Sequence, residues 1–555
     1  MKKLIFLVLI FLVEQEFVAE VKMNNTSEFK KPRIVNIINF IRLLEPRYNG
    51  KITEDILYQT VVNQLDMMKK YNLAGTFLLQ YDALMNSRYQ KLLKDLPKEY
   101  EIGAWWEIPQ PLVEKAGMKW RGRFRWDWHV NVGFSVGYTP DERKKLVDIY
   151  FEDFKEIFGF YPKSVGSWFI DEVTLNYMHE KYGIVASCNC RDQIGTDGYT
   201  LWGGYWNQAY YPSKVNSYMP AQNVWNQIPV PIFRMLGSDH LREYDDGIKG
   251  EDRSKYWTLE PVIKNAGGDS AWVNWYLKDF VNNACVGYAY VQVGQENSFT
   301  WEAMEKGYNI QIPLIAKLRN DKKVKVETLS ETGRWFKKNF KVTPPTMVSS
   351  LLTLNGDDRK TIWFDSRFYR ANIIWENDNL RIRDIHMFDE KLSSDYINQK
   401  TELTTCNYYT LPIVDGNMWS DSSHHAGLRL KAIINNKEVL IEGGTPDVSD
   451  SMEGKLHVSW TLKNTEGYFI VDFDECGIQM KLESNKSVEW FLDFTTAINL
   501  QLPIAKIRNN KIECKFKDID YRVDVLKGLV SVPKEKIVYR ITPEKGKISL
   551  DFSKR

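Results

Sequence analysis

The sequence predicts an α/β barrel of the (β/α)7 type over about residues 30–335, followed by an all-β sandwich domain over about residues 340–555. In the first part of the chain, short apolar β-prone runs alternate with amphipathic helices seven times. Beyond a Lys-rich segment that ends at Thr346, only short β-prone runs follow, as is typical of an antiparallel sandwich. A chain of 555 residues is also too long for one ordinary core, which indicates two or more domains.

The predicted strands of the barrel cover, in chain order, residues 34–40, 74–79, 100–106, 164–170, 184–187, 228–236 and 287–293. The predicted helices cover residues 53–71, 139–158, 172–181, 271–283 and 301–320, where apolar residues recur at helical spacing. Thr53 and Thr139 can cap the first two helices, and Gly183 fits the left-handed position that ends the third.

Carboxylates follow several of these strands. In parallel α/β sheets the functional site lies at the carboxyl ends of the strands, so side chains that are distant in sequence meet at one mouth. The candidates are Glu107, Asp171, Glu172, Asp239 and Glu296. Glycoside hydrolysis needs one protonated and one ionised carboxyl group facing the same bond. We predict Asp171 as nucleophile or base and Glu296 as proton donor, with the other three as further candidates.

Each of these carboxylates also has a structural interpretation. Asp171 can cap the helix that follows it, and Glu172 lies in a first helical turn, where the helix dipole favours acids. Glu107 and Asp239 can be turn residues, and Glu296 can pair with a nearby Arg or Lys. The sequence leaves both interpretations open for every member of the set.

Tryptophans are concentrated in the barrel region, and several stand by strand ends or in long loops. Aromatic walls with a few polar groups are typical of ligand pockets, and a sugar ring can stack on them. The alternative is a large aromatic core. The predicted substrate-binding residues are Arg42, Trp105, Trp106, Trp168, Tyr199, Trp202 and Trp206. The last three belong to a loop from Arg191 to Asn216, which we expect to be structureless and to cover the pocket.

Composition narrows the class of ligand. The net charge is +2 without a basic block, so nucleic-acid binding is not expected. The seven histidines are scattered, and the six cysteines show no zinc-ligand spacing. We therefore expect neither a metal nor another cofactor, and a carbohydrate as the partner.

The N-terminus has the pattern of a signal peptide over residues 1–20. Lys2 and Lys3 precede the unbroken apolar run from Leu4 to Val13, which is too short to span a bilayer. No other stretch is long and apolar enough for a membrane span. The expected location is outside the cell or in the periplasm.

Three segments carry a family resemblance: GTFLLQYDAL, EIGAWWEI and GFYPKSVGSWFIDEVTLNYMHEKYGI. Their order resembles the barrel of polysaccharide deacetylases and the related barrel of family-57 glycoside hydrolases. Trp105, Trp106 and Glu107 stand where deacetylases have a strand followed by two zinc histidines, so the sequence departs from that zinc site. The family-57 resemblance implies a nucleophile after the fourth strand, at Asp171 or Glu172, and an acid after the last strand, at Glu296.

Three functions remain open on the sequence. The first is a secreted glycoside hydrolase that acts on a poly- or oligosaccharide through two carboxylates. The second is a non-catalytic glycan-binding protein on a deacetylase-like barrel. The third is a metal-dependent polysaccharide deacetylase.

Overall fold

A computed structural model of the protein describes residues 31–43, 51–248, 257–533 and 537–554. The predicted signal peptide lies outside the described residues. The segment Pro32–Arg555 forms one compact unit. Within the described residues, no helix combines the length and the apolar character needed to cross a membrane.

The strands up to residue 327 are β1 (Arg33–Ile41), β2 (Gly75–Leu79), β3 (Tyr100–Trp105), β4 (Ser164–Gly166), β5 (Ala186–Asn189), β6 (Gln193–Thr196), β7 (Tyr199–Trp202), β8 (Ala209–Tyr210), β9 (Ile232–Arg234), β10 (Ala289–Val293) and β11 (Lys325–Glu327).

The helices are α1 (Glu54–Lys70), α2 (Tyr81–Leu84), α3 (Ser87–Lys94), α4 (Gln110–Lys115), α5 (Val130–Gly133), α6 (Pro140–Phe158), α7 (Glu172–Tyr182), α8 (Ser270–Asn282), α9 (Trp301–Asn320) and α10 (Leu329–Asn339).

The first sheet is a nearly closed barrel. Its strands lie in the order β10-β1-β2-β3-β4-β5-β9, and all neighbours along this path are parallel. Two further strands complete the nine-stranded sheet: β8 pairs antiparallel with β9, and β11 pairs parallel with β1. Because the path is parallel, the carboxyl ends of these strands meet at one mouth.

Local signals in the sequence explain the helix ends. The Thr139 side chain accepts a hydrogen bond from the backbone N–H of Glu142, and the Glu142 carboxylate accepts one from the backbone N–H of Thr139, so a capping box starts α6. Gly183 has φ +68° and ends α7 as predicted. Strand β9 is shorter than the predicted run 228–236, because Pro229 and Pro231 have no N–H with which to bond a neighbouring strand.

The remaining strands are β12 (Thr346–Ser350), β13 (Lys360–Asp365), β14 (Tyr369–Glu376), β15 (Asn379–Met387), β16 (Cys406–Tyr409), β17 (Leu411–Asp415), β18 (Gly427–Ile434), β19 (Lys437–Leu440), β20 (Gly443–Ser449), β21 (Leu456–Leu462), β22 (Tyr468–Phe473), β23 (Gly477–Glu483), β24 (Trp490–Thr495), β25 (Ile504–Arg508), β26 (Lys511–Phe516), β27 (Ile519–Lys527), β28 (Leu529–Ser531), β29 (Tyr539–Thr542) and β30 (Lys547–Asp551).

All of these strands except β16 form two antiparallel sheets, β12-β13-β14-β15-β18-β24-β29-β28 and β20-β21-β22-β23-β30-β27-β26-β25, with β17 and β19 added at the side of the first. The sheets share one apolar core. Phe364 of the first sheet stacks on Phe473 of the second, with ring centroids 5.3 Å apart. The C-terminal part of the chain is therefore an antiparallel double sheet packed like a β-sandwich.

Two segments for which the sequence predicted no helix or strand contain regular secondary structure. The Lys-rich segment that ends at Thr346 contains β11, which pairs with β1, and α10. The loop from Arg191 to Asn216 contains β6, β7 and β8, and β7 pairs in parallel with β16 of the C-terminal part. The expectation of a structureless loop is thus wrong, because its aromatic side chains are buried against neighbouring strands.

Trp202 in this loop is buried, and its indole N–H donates to Asp415 at 2.8 Å. We expect Trp202→Ala to lower the free energy of unfolding by about 3–5 kcal/mol, because a large buried side chain and a buried hydrogen bond are lost. Thermal and denaturant unfolding measure this change. The control is Trp225→Ala, since Trp225 is 83% exposed and its removal should leave stability almost unchanged. Equal stability of the two variants would contradict a core role for the loop.

Candidate functional site

Arg42 holds two carboxylates together at the mouth of the barrel. It directly follows β1, and its guanidinium binds Glu107 in bidentate fashion, at 3.0 Å from Nε to Oε2 and 2.7 Å from Nη2 to Oε1. On its other side, Nη1 lies 2.8 Å from Oε2 of Glu296. All three side chains are buried. Since β10, β1, β2 and β3 are neighbours, residues that follow them converge here.

The turn after β10 fixes Glu296. Gly294 has φ +113°, and a side chain there would collide with the carbonyl of Ile38, so only glycine lets the chain pass β1 at this point. Ser298 Oγ donates to Glu296 Oε1 at 2.7 Å. Asn297 exchanges two hydrogen bonds with the backbone of Arg42, each 2.9 Å long.

The last residue of the same turn, Thr300, has a strained backbone conformation. Thr300 has φ +67° and ψ 153°, a region populated almost only by glycine, and a β-branched residue is strained there. Such strain persists only where the surroundings impose it, and it is concentrated at functional sites. The position of the strain therefore supports a functional role for the segment from Glu296 to Thr300.

Aromatic rings surround Arg42. Phe40 and Trp105 stack with centroids 3.8 Å apart, and Trp168 meets Trp105 edge-on at 5.5 Å. The guanidinium carbon of Arg42 lies 4.2 Å from the ring centroid of Trp126. These rings exclude water from the ion pairs and so strengthen the electrostatic interactions among them.

Two polar residues after β2 complete this centre, and sequence reasoning missed both. Gln80 donates to Glu107 Oε2 at 2.5 Å. Asp82 is buried and accepts from the backbone N–H of Ala83 at 2.7 Å. Burial raises the pKa of Asp82 to about 7. The signal was available, because both lie within three residues of the end of a predicted parallel strand.

Glu107 is completely buried. Burial raises the pKa of its carboxyl group above the ordinary value, while Arg42 and the hydrogen bond from Gln80 act in the opposite direction. A carboxyl group with a raised pKa, next to a second carboxylate and an arginine, is a candidate acid–base group.

Asp171 has different partners from Glu107 and Glu296. It caps α7 by accepting from the N–H of Thr174 at 3.0 Å, and it also accepts from Thr174 Oγ1 at 2.6 Å. Ser135 Oγ and Arg143 Nη1 complete its shell at 2.5 and 3.0 Å. It is fully buried. These contacts favour the capping alternative, and catalysis by Asp171 stays a prediction.

Glu172 and Asp239 also have structural partners. Glu172 is buried, accepts from the N–H of Ser217 at 3.3 Å, and has a pKa raised by burial and by neighbouring Asp171. Asp239 accepts from the N–H groups of Leu241 and Arg242 at 2.8 and 2.9 Å, as a turn residue does. The structure does not join either carboxylate to the Arg42 centre by a hydrogen bond or ion pair.

The predicted binding aromatics divide into three groups. Trp105 and half-buried Trp168 belong to the aromatic wall beside Arg42. Trp106 packs in the barrel core against Tyr150. The other three lie at the contact with the C-terminal sheets: Tyr199, Trp202 and Trp206. Trp206 stacks on Trp363 with centroids 3.9 Å apart.

A buried network of charged side chains lies where the barrel contacts the C-terminal sheets. Arg370 of β14 binds Asp192 at 2.6 Å and Asp384 at 2.9 Å, and Arg234 of β9 binds Asp192 at 2.8 Å. Tyr218 donates to the same Asp192. Removing one partner of such a network leaves an uncompensated buried charge, so the network fastens the barrel loops to the C-terminal sheets.

Among the described residues, no group of three or more His, Cys, Asp or Glu side chains is arranged to hold a metal ion. At the positions that resemble a deacetylase zinc site, Trp105 and Trp106 fill apolar clusters and Glu107 binds Arg42.

A cleft of about 560 Å³ opens beside the turn that carries Glu296. It shares Thr300 with that turn and is lined further by Pro261, Val262, Lys264, Glu302 and Lys306. Its size is in the range of small-molecule sites. Phe299, in the same turn, is 43% exposed and offers an aromatic edge to solvent.

Comparison with solved structures identifies similar folds. A Parabacteroides distasonis protein that is provisionally described as a glycoside hydrolase/deacetylase superposes with a TM-score of 0.53 at 14% identity, over 69% of this chain and 90% of that chain. A protein provisionally described as a polysaccharide deacetylase of Mycobacterium smegmatis follows with a TM-score of 0.34 at 12% identity, over 56% of this chain and 93% of that chain. A family-57 branching enzyme of Thermococcus kodakaraensis gives 0.30 at 10% identity, over 56% and 71%.

No protein-family model and no curated protein sequence matches the chain. At the identities of the structural matches, the likeness concerns the fold alone. The barrel resemblance that the sequence predicts is confirmed at that level by the Parabacteroides distasonis structure.

The contacts of Asp171 lead to a stability prediction. We expect Asp171→Asn to lower the free energy of unfolding by about 3 kcal/mol or more, because buried Arg143 loses its carboxylate partner. Denaturant unfolding measures this loss. The control is Asp141→Asn in the first turn of α6, which is exposed and should change stability little. Normal stability together with activity lowered by orders of magnitude would instead establish catalysis by Asp171.

Asp82 should make stability depend on pH. Its pKa is about 7 in the folded protein against an ordinary 3.8, so the unfolded chain releases this proton first as pH rises. The free energy of unfolding should therefore fall between about pH 4 and 7, by up to about 1.4 kcal/mol per pH unit. We expect Asp82→Asn to remove this component in unfolding titrations, whereas exposed Asp66→Asn should keep it. Identical pH profiles of wild type and Asp82→Asn would contradict the raised pKa.

Proposed function

We propose that the chain is a carbohydrate-active enzyme that hydrolyses a glycosidic bond of a poly- or oligosaccharide at the Arg42 centre. The observation that carries the proposal is the convergence of Glu107 and Glu296 on Arg42 at the mouth of the barrel. Two carboxyl groups at one site are the minimum for glycoside hydrolysis, and the strain at Thr300 beside them supports function. The proposal takes the run of parallel strands as a (β/α)7-type barrel.

The environments suggest different roles for the two carboxyl groups. We assign Glu107 as proton donor, because burial raises its pKa and favours the protonated form. We assign Glu296 as the nucleophile or base, because Arg42 forms an ion pair with it and Ser298 donates a hydrogen bond to it. A bound sugar would have to replace part of the bonds to Arg42, since both carboxylates are enclosed.

A non-catalytic glycan-binding protein is the second candidate. The observation that favours it is that three of the predicted catalytic carboxylates, Glu107, Glu296 and Asp171, are each paired with a buried arginine. An acid held in this way stabilises the barrel without any need for turnover. Release of reducing ends separates the two candidates, because a binding protein would retain glycans but release none.

We also propose that the chain is exported. The support is the charged and apolar pattern of residues 1–20. Fractionation of expressing cells, followed by N-terminal sequencing of the mature protein, tests export and locates the cleavage site.

Activity of carboxylate variants tests the assignment. We expect Glu107→Gln and Glu296→Gln each to lower the release of reducing ends from a cognate glycan by at least about 1,000-fold, because an essential acid–base group is lost. A glycan library screen first identifies that substrate. The control is Glu114→Gln on the exposed face of α4. Near wild-type turnover by both mouth variants would overturn the assignment, and an inactive wild type across the library would favour the binding protein.

A further inference from the structure

A second cleft, of about 370 Å³, lies beside the end of β9 where the barrel meets the C-terminal part. Its barrel wall contains Arg242, Trp257, Asn265 and Trp272, and its opposite wall contains Asn355 and Asp357. None of these residues contributes to the Arg42 centre.

One buried carboxylate organises the barrel wall. Asp239 accepts from Arg242 Nη1 and from the indole N–H of Trp272, both at 2.9 Å. Its own backbone N–H donates to the carbonyl of Trp257 at 2.7 Å. Arg242 continues across the cleft to Asp357 at 2.9 Å. The arginine and the indoles are thus held in fixed positions before any ligand arrives.

The opposite wall is a tight turn. Leu354 and Asp357 exchange backbone hydrogen bonds of 3.3 and 2.9 Å, and Asn355 and Gly356 between them have φ +51° and +80°. Asn-Gly with two positive φ angles is the sequence preferred in a type I′ turn, which is rigid. The turn presents the Asn355 side chain to the cleft. Within the described residues, neither the Asn355 nor the Asn265 amide has a side-chain hydrogen-bond partner.

We propose that this cleft binds an uncharged saccharide unit. The positive charge of Arg242 is already matched by Asp239 and Asp357, so an anionic ligand would meet two carboxylates. A cation would meet Arg242, and Asp357 is also paired with Arg359. The available groups are neutral amides and the half-buried ring of Trp257, which suit the hydroxyl groups and the apolar face of a sugar.

One hydrogen bond links a wall of the cleft to the turn that carries Glu296. The segment from Trp257 to Asp269 forms one side of it, and Glu260 in that segment accepts from Gln295, the neighbour of Glu296, at 3.2 Å. The inference rests on the proposed function only for the class of ligand, since binding in this cleft does not require turnover.

Affinity electrophoresis of the full chain tests the inference, with glycogen, xylan, mannan or pectin in the gel. We expect at least one polysaccharide to retard the wild type and Glu296→Gln. Trp257→Ala and Asn355→Gly should bind it at least about 10-fold more weakly. Asn355→Gly removes the amide and keeps the positive φ, so it serves if Trp257→Ala does not fold. Trp225→Ala, with an exposed tryptophan outside the cleft, is the matched control.

Equal retardation of the wild type and both cleft variants would overturn the inference, as would retardation by none of the four polysaccharides. Loss of retardation in Glu296→Gln, with retention in the cleft variants, would place binding at the Arg42 centre instead and leave the proposed function standing. Conversely, retardation that depends on the cleft, from a chain that releases no reducing ends, would support the cleft and reject hydrolysis.

Discussion

The buried guanidinium of Arg42 is the constraint on which the barrel mouth depends. An arginine taken out of water is tolerated only if carboxylates and fixed dipoles replace its hydration, and here Glu107 and Glu296 do so from strands on either side of β1. Asn297 holds the backbone of the same residue. Side chains from four neighbouring strand ends are therefore interdependent.

The mutual dependence of these side chains affects the protonation of the carboxyl groups in the centre. Water is excluded by Trp105, Trp126 and Trp168, so each charge strongly influences its neighbours. Asp82 and Glu107 respond with raised pKa values, since no arginine of the described residues forms an ion pair with Asp82 and burial outweighs the effect of Arg42 at Glu107. Such groups are typical of sites that exchange protons.

On the side of the mouth away from Arg42, the barrel is packed against the C-terminal sheets. Asp192, Arg234 and Arg370 join the loop after β5 and strand β9 to the first C-terminal sheet, and β7 pairs with β16. The C-terminal sheets therefore support the barrel. Open clefts remain beside the turn after β10 and beside Asn355, on either side of the segment from Trp257 to Asp269.

The sequence by itself determined the alternation of strands and helices, the caps at Thr139 and Gly183, and the strand-end positions of Arg42, Glu107 and Glu296, because these depend on local periodicity and residue type. Only the tertiary structure decided which charges meet. Asp171 and Glu296 follow strands in the same way, yet one binds Arg143 and the other Arg42, since ion pairing depends on contacts between residues far apart in the chain. Burial of the loop around Trp202 was likewise decided by strands that lie some 200 residues later.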